Sequence, residues 1–407
     1  MSATYEKDLR TGRTFWQSRP LSKIKTQPLR RDVETDVLIV GAGISGAMTA
    51  EALSELGLRV VIVDRRGALK GSTTASTALL QYEIDILLSK LAKRIGRDRA
   101  ERIWRRSYLA LSSLRDRTRH LGIKADIVNR DSLYLQGDEL DAEGLRVEGA
   151  ARRRAGFEVA YLTAPQVEAR VGISGRAALL AFDNMSADPR RLAAGFLNAA
   201  LGRGAKLYSP VEIDEVESDT HSIAAQTDTG QVIRAKTLIF ATGYELPKGV
   251  PRMGHTIAST YVMTTKPQPR ALWPEGCLIW EASSPYLYLR EAPGGRIVCG
   301  GEDEDFSSAE RRDALLPQKI VKLQQKLRRL LPGVDVGAEY AWCGSFGGSK
   351  TGCPSIGAVP SMRNCYAVLG YGGNGITFSI LAAQLLAGLI AGDGDPDADI
   401  FSFRRTF

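Results

Sequence analysis

The stretch TDVLIVGAGISGAMTAEALSELGLRVVIVD, residues 35–64, decides how this chain folds. An apolar run at 37–40 leads into the turn 41–46, a helical stretch follows, and a second apolar run at 60–63 ends at Asp64. Short apolar runs bounded by turn residues are typical of buried parallel strands. The order of strand, glycine turn, helix and strand predicts a βαβ unit.

The glycines of this turn have the G-x-G-x-x-G spacing of dinucleotide-binding units. Gly41 allows the tight turn, Gly43 lets backbone amides approach a pyrophosphate, and Gly46 lets the helix pack against the sheet. The phosphates would lie at the helix N-terminus, where free N–H groups and the helix dipole favour negative charge. Asp64, about 20 residues beyond the turn, stands where a carboxylate meets ribose hydroxyls. Taken alone, the stretch is compatible with NAD or FAD.

Length and composition limit the class of protein. With 407 residues the chain suits two closely associated domains. Its 44% hydrophobic and 25% charged residues are ordinary for a globular protein. Five cysteines without C-x-x-C spacing indicate neither a disulfide framework nor a zinc site. The N-terminus is polar and has no signal-peptide pattern, so we expect a cytoplasmic location.

The formal net charge of +8 raises the question of a polyanionic partner. Much of the excess lies in an N-terminal arm, residues 1–34, where Phe15 and Trp16 are the expected anchors, and in residues 90–119. Apolar side chains recur between the arginines of the second stretch: Ile103, Leu109, Leu111 and Leu114. This pattern predicts a helix with a solvated basic face. A nucleic-acid patch, or steering of an acidic substrate, is the alternative.

Two further junctions between a strand and a glycine turn occur far along the chain. Residues 237–240 run into ATG at 241–243, and residues 366–369 run into GYGGNG at 370–375. A small, hydroxylated loop, GSTTASTALL at 71–80, can lie flat against a bulky ligand and offer hydroxyls to it. These segments predict one nucleotide site assembled from distant parts of the chain.

With these motifs the chain resembles the FAD-dependent oxidoreductases of the D-amino-acid oxidase superfamily, which includes glycine oxidase and sarcosine oxidase. The resemblance covers residues 35–405 and implies an α/β fold. It implies a doubly wound, Rossmann-like FAD-binding domain with an inserted α+β substrate domain on a mainly antiparallel sheet. The expected bounds are 1–34 for the arm, 35–90, 160–247 and 340–407 for the FAD-binding domain, and 91–159 and 248–339 for the substrate domain.

The resemblance also implies which residues hold FAD. They are Gly41, Gly43, Ile44, Ser45, Gly46, Asp64, Arg65, Thr73, Ser76, Thr77, Ala78, Leu80, Val211, Ala241, Thr242, Gly243, Gly372, Gly373, Asn374, Gly375, Ile376 and Thr377. Ala78 stands where a glycine is common in the family. The cysteine that attaches flavin covalently in sarcosine oxidases corresponds to Gly344, one residue after Cys343, so we expect non-covalent FAD.

The substrate site departs from the family pattern. The two arginines that hold the substrate carboxylate in glycine oxidases correspond here to Phe346 and Gly373, so an α-amino acid bound in the usual way is not expected. Arg290 is the remaining candidate cation, and aromatic walls would suit an amine through cation–π contact. The candidate substrate residues are Gln81, Tyr82, Tyr261, Tyr288, Arg290, Trp342 and Tyr371.

We therefore predict an FAD-dependent oxidoreductase that takes a hydride from a C–N bond and yields an imine, with oxygen or another acceptor reoxidising the flavin. A free amine has a lone pair and needs no strong base, so no catalytic side chain is named and the three histidines are assigned ordinary roles. The alternatives are oxidation of a hydroxy acid, modification of transfer RNA, and flavin binding without turnover. We do not expect a nucleic-acid partner. We also expect no membrane span, because the apolar stretch 376–390 is shorter than the ~20 residues that a span needs.

Overall fold

A computed structural model describes residues 2–268 and 272–405. Its strands are β1 (Arg10–Arg13), β2 (Val33–Val40), β3 (Val60–Val63), β4 (Leu79–Leu80), β5 (Val128–Leu135), β6 (Val159–Leu162), β7 (Ala178–Ser186), β8 (Lys206–Tyr208), β9 (Ile213–Ser218), β10 (Ile223–Thr227), β11 (Val232–Phe240), β12 (Thr256–Thr265), β13 (Leu278–Glu281), β14 (Leu287–Ala292), β15 (Arg296–Glu304), β16 (Ala338–Gly348), β17 (Ser355–Ala358) and β18 (Cys365–Leu369).

The α-helices of the same described ranges are α1 (Ile44–Glu55), α2 (Leu88–Ile95), α3 (Arg97–His120), α4 (Ala142–Arg154), α5 (Ala164–Val171), α6 (Pro189–Gly202), α7 (Ala309–Leu330), α8 (Gly375–Ala391) and α9 (Ala398–Phe401). Short 3-10 turns cover Phe15–Ser18, Ser72–Ala75 and Pro274–Gly276. In this described part of the chain, no helix is both long and apolar enough to cross a bilayer.

The first sheet carries the predicted βαβ unit. Its strand order is β17-β18-β11-β2-β3-β8, and the strands from β18 to β8 run parallel. Val37 and Ile39 face a core shared with α1, α6 and α8, whereas Leu38 faces the opposite core with residues of β9 and β10. Burial on both faces explains why these strands are continuous apolar runs. The predicted α/β fold class is confirmed.

The second sheet follows the order β1-β16-β12-β15-β14-β13-β5-β7-β4, with β6 paired to β7. Its pairs are antiparallel except for β13 and β5. Sheet membership differs from the predicted domain bounds at two places. Strands β6, β7 and β16 belong to this sheet, with Ser132 opposite Ala181 and Val262 opposite Trp342, although their residues fell mostly within the expected FAD-binding segments.

Side-chain caps mark the starts of two helices. The Asp188 carboxylate accepts from the Arg190 and Arg191 amides, both at 3.0 Å, so α6 begins at Pro189. Helix α7 begins at Ala309, where the Ser308 hydroxyl caps the Arg311 amide at 3.3 Å, and Pro317 lies inside it.

The N-terminal arm is attached to both parts of the molecule. Strand β1 pairs with β16 of the second sheet. Phe15 and Trp16, the expected anchors, are 4% and 1% exposed. The stretch 90–119 is mostly helix, as predicted, although Leu109, expected on its apolar face, is 51% exposed.

Candidate active site

The three predicted junctions meet at one cavity between the two sheets. Strands β2, β11 and β18 are neighbours, so the turns after them lie at the same edge of the sheet. The Ala241 amide donates to the Val40 carbonyl at 2.9 Å. Gly41 has φ +113°, and a Cβ there would overlap the Ala241 carbonyl. Glycine is therefore required where the first two junctions touch.

Two helix N-termini open into this cavity. Helix α1 begins at Ile44 and α8 at Gly375, and both residues line the cavity. Within the described ranges, neither N-cap residue, Gly43 or Asn374, caps its helix with its own side chain. The Ser45 and Ser379 hydroxyl oxygens lie 2.7 Å apart and join the two helices. Uncapped helix starts carry unpaired amides and a positive dipole end, which stabilise anionic groups.

The loop at 71–80 forms a third wall. The Ile44 amide donates to Thr73 Oγ1 at 3.0 Å, which fastens the loop to α1. Three side chains behind the loop bond to its successive carbonyls at positions 75, 76 and 77: Trp342 Nε1 at 2.9 Å, Trp16 Nε1 at 2.8 Å and Arg290 Nε at 2.7 Å. Ala78 has φ +51°, the left-handed region, which explains why glycine is common at this place in the family.

Asp64 shapes the end of the cavity nearest β3. Its carboxylate accepts backbone amides from Ala42 at 2.8 Å and from Arg66 and Gly67 at 2.9 Å. Burial raises the pKa of Asp64, and these amide hydrogen bonds oppose the rise. Arg65 beside it pairs with Glu212 at 3.2 Å and with Glu245. We define this region as the β3 end of the cavity.

The structure places nearly all predicted FAD residues on the cavity wall. They are Gly41, Gly43, Ile44, Ser45, Asp64, Arg65, Thr73, Ser76, Thr77, Ala78, Leu80, Val211, Ala241, Thr242, Gly243, Gly372, Gly373, Asn374, Gly375, Ile376 and Thr377. Gly46 lies behind the wall, where a Cβ would overlap the Gly41 carbonyl. Its role is close packing of α1 against the turn.

Of the predicted substrate residues, Gln81, Tyr288 and Tyr371 line the cavity. The other four, Tyr82, Tyr261, Arg290 and Trp342, do not line it, because their side chains pack against other parts of the protein. Tyr82 stacks on Phe157, with ring centroids 5.5 Å apart, because it points to the opposite side of the segment from Gln81. Tyr261 lies in the core of the second sheet.

Arg290 and Trp342 hold the loop from behind, so they do not point into the cavity. The Arg290 guanidinium donates to the carbonyls of Thr77, Ala187 and Glu291 and lies 5.0 Å from the Trp16 ring centroid. We conclude that both residues position the 71–80 loop. The sequence could not show this, because the loop and these side chains meet only through long-range packing.

Several lining residues were missed. Tyr286, Thr260 and Trp280 come from the second sheet, and Glu83 and Asp85 come from the segment after Leu80. The alternation of polar and apolar residues in QYEID, 81–85, was the available signal, since alternate side chains of an extended segment point to opposite faces.

The position of the cysteines bears on flavin attachment. Gly344 lines the cavity, whereas the neighbouring Cys343 Sγ lies 3.4 Å from Asp313 Oδ1 on the other face of β16. Adjacent strand residues point to opposite faces, so Cys343 is turned away from the cavity. Non-covalent FAD stays our prediction for this chain.

The residues present fit FAD. A Cβ on Gly43 would lie 3.1 Å from Thr73 Oγ1, so the glycine keeps backbone amides accessible where a side chain would intrude. The two open helix N-termini lie on the same cavity, which suits a ligand with anionic groups at separate places. The small residues of the 71–80 loop line the same cavity as Tyr286 and Tyr288, and small side chains let a loop lie flat against a bulky ligand.

Comparison with known proteins agrees with this geometry. The chain is 25% identical to gamma-glutamylputrescine oxidoreductase of Escherichia coli over 383 residues, covering 90% of this chain and 86% of that protein. It is 25% identical to glycine oxidase of Geobacillus kaustophilus over 373 residues, covering 87% and 92%.

Solved structures share the fold. The crystal structure of glycine oxidase from Geobacillus kaustophilus superposes with a TM-score of 0.75 at 22% identity, covering 92% of this chain and all of that one. L-proline dehydrogenase from P. horikoshii gives 0.73 at 16% identity, covering 91% and 97%. The sequence model of the family described as DAO, FAD dependent oxidoreductase, matches residues 36–389. The chain therefore belongs to the DAO family of FAD-dependent oxidoreductases.

Proposed function

We propose that this protein oxidises a C–N bond of an amine or amino-acid-like substrate and yields an imine. The observation that carries the proposal is the continuity of one cavity, which runs from the three glycine junctions to Thr260, Tyr286 and Tyr288 of the second sheet. A small substrate held against this sheet would lie over a flavin held by the first. The two relatives, gamma-glutamylputrescine oxidoreductase and glycine oxidase, are named for substrates that contain such a bond.

A flavin held in this cavity would supply a two-electron acceptor. Loss of hydride from the C–H bond next to nitrogen would let the nitrogen lone pair complete the C=N bond, and loss of the N–H proton to water would give the neutral imine. Addition of water to the imine would give a carbonyl compound and ammonia or an amine, and oxygen or another acceptor would take up the two electrons.

An amine makes fewer demands on the side chains of the cavity than an alcohol does. An alcohol needs a base for its hydroxyl proton, whereas a neutral amine already has a lone pair. All three histidines lie in the described ranges and none is on the cavity wall; His120 and His221 are exposed, and His255 Nε2 lies 2.8 Å from Ser355 Oγ. The hydroxyls of Tyr286 and Tyr288 stay protonated at neutral pH, because burial raises their pKa values. The wall also carries the carboxylates of Glu83 and Asp85, so the substrate panel described next distinguishes the two reactions.

Anaerobic mixing of the holoenzyme with a substrate panel tests the proposal. Primary and secondary amines should bleach the visible flavin absorbance, and matched 2-hydroxy acids should leave it unchanged. Bleaching by hydroxy acids alone would assign the enzyme to C–O oxidation. A flavin that no amine reduces would contradict the proposal in favour of a binding protein.

A further inference from the structure

The cationic side chains of the cavity wall lie at one end of the cavity, and the other end carries only carboxylates among its charged residues in the described part of the chain. At the β3 end, Arg65 and Arg66 are the cations, and both pair with Glu245. At the other end, which we call the acidic end, the charged wall residues of the described chain are Glu83 and Asp85. Asn374 Nδ2 donates to the carbonyls of Gln81 and Glu83, both at 2.9 Å, so this segment is fastened to the start of α8.

Glu83 is buried, and one of its two carboxylate oxygens is paired with an arginine. Its Oε1 accepts from Arg152 Nη1 at 3.2 Å, and Arg152 also donates to Glu148 at 2.8 Å. The side chains of all three residues are inaccessible to bulk solvent. Within residues 2–268 and 272–405, Glu83 Oε2 has no hydrogen-bond partner, although Glu83 is on the cavity wall. A buried carboxylate oxygen beside a cavity and without a donor is costly unless a ligand supplies one.

Asp85 has no compensating cation in the described part of the chain. Its Oδ2 accepts the Gly373 amide at 2.8 Å, and no lysine or arginine of that part lies within ion-pair distance of the carboxylate. Asp85 is exposed, and its side chain lines the cavity. A Cβ on Gly373 would lie 2.5 Å from Asp85 Oδ1, so Asp85 occupies the space beside this glycine.

Two tyrosine rings complete the wall of the acidic end, and a third carboxylate, that of Asp303, lies behind them. Tyr286 and Tyr288 have ring centroids 5.5 Å apart. The Tyr286 hydroxyl donates to Asp303 Oδ2 at 3.0 Å, while Asp303 Oδ1 is buried and without a hydrogen-bond partner among the described residues. Burial raises the pKa of Asp303 to about 6 and the Asp85 charge adds to the rise, while hydrogen bonds from Thr260 and Tyr286 and the Lys319 charge oppose it. Aromatic faces and uncompensated carboxylates both favour a cation and disfavour an anion.

We propose that Asp85 determines specificity by pairing with a cationic nitrogen of the substrate, so that the substrate class is a diamine or polyamine with no carboxylate at that place. The nitrogen that is oxidised must be neutral to have a lone pair, whereas a nitrogen paired with a carboxylate is held protonated. One nitrogen cannot meet both requirements, so the substrate carries a second. The part of this inference that concerns the oxidised nitrogen rests on the proposed C–N oxidation, whereas the pairing of Asp85 with a cation does not.

Three ligands of matched length separate the possibilities: 1,4-diaminobutane, butylamine and 4-aminobutanoate carry an ammonium, a methyl and a carboxylate at the distal end. Isothermal titration of the holoenzyme, with its flavin reduced beforehand under anaerobic conditions, measures binding without turnover. The diamine should bind at least about tenfold more tightly than butylamine, because an ammonium can donate a charge-assisted hydrogen bond to Asp85 and a methyl group cannot. The aminobutanoate should bind most weakly.

Asp85→Asn keeps an oxygen for the Gly373 amide and removes the charge. It should bring the diamine and butylamine within about threefold of each other, a difference below 1 kcal/mol. Glu217→Gln, which removes the same charge from the exposed face of β9, should leave the tenfold preference in place.

Equal binding of the three ligands by the unmodified protein, undetectable binding of all three, or an unchanged preference in Asp85→Asn would overturn the inference. The reaction is tested separately. If the protein prefers the diamine but no amine bleaches the flavin, the proposed oxidation is rejected and the cation site is kept. If amines bleach the flavin but the protein shows no preference for the diamine, the oxidation is kept and the cation site is rejected.

Discussion

At the residue scale, Gly46 illustrates how tightly α1 packs against the turn that precedes it. The glycine lies one helical turn from Gly41, and the ideal Cβ position overlaps the Gly41 carbonyl. The obstacle is backbone, which cannot move aside as a flexible side chain can. Any side chain here must displace either the helix or the turn that faces the cavity.

Gly46→Ala should therefore lower the free energy of unfolding by about 1–3 kcal/mol, the usual cost of overpacking, and weaken FAD binding. Gly202→Ala is the matched control, since Gly202 is also helical, is exposed, and would meet nothing within 4 Å. That substitution should be neutral or stabilise by about 0.4–1 kcal/mol. Urea unfolding and FAD titration of both variants measure this, and equal effects would show that the overlap is absent in solution.

At the scale of elements, the first residues of the N-terminal arm form a cover over the cavity. Thr4 and Leu9 line it. The Ala3 amide donates to the Ile213 carbonyl at 2.7 Å, and the Ser345 amide donates to the Leu9 carbonyl at 2.8 Å. These residues, 2–9, thus tie the β3 end of the first sheet's domain to the second sheet. They precede the residues that the family model matches.

Removing residues 2–9 should speed the release of FAD from the holoenzyme by at least about fivefold, because each backbone hydrogen bond contributes about 1 kcal/mol and several are lost. The rise of FAD fluorescence after dilution measures the rate. Tyr5→Ala is the control, since the Tyr5 side chain is 51% exposed and its backbone bond to Leu246 persists. Release at the same rate from the shortened and the full chain would mean that the cover does not retain the cofactor.

At the scale of the whole molecule, the positive charge is dispersed through internal ion pairs. Arg102 pairs with Asp397 at 2.8 Å, and Arg106 pairs with Asp395 at 3.2 Å. Arg117 pairs with Glu51. The basic helix α3 is thus neutralised in large part by acids from other segments, which agrees with the solvated-face interpretation of its sequence.

We expect no mobility shift of transfer RNA by this protein at about 0.15 M ionic strength, because surface charges further apart than a Debye length are screened there. The double variant Asp395→Asn and Asp397→Asn removes both carboxylates paired with Arg106 and one of the two paired with Arg102, and it should bind RNA more strongly at low salt. Tight, salt-dependent binding by the unmodified protein would instead support the role in RNA modification.

The sequence by itself determined the βαβ unit, the three glycine junctions and the family, because strand runs and glycine turns depend on neighbouring residues. It also identified most of the cavity wall. Tertiary structure decided which aromatic and charged side chains reach the cavity. Arg290 and Trp342 turn behind the loop to bond its carbonyls, while Glu83 and Asp85 turn inward. Side-chain direction at these positions follows from contacts between residues far apart in the chain, which local patterns do not encode.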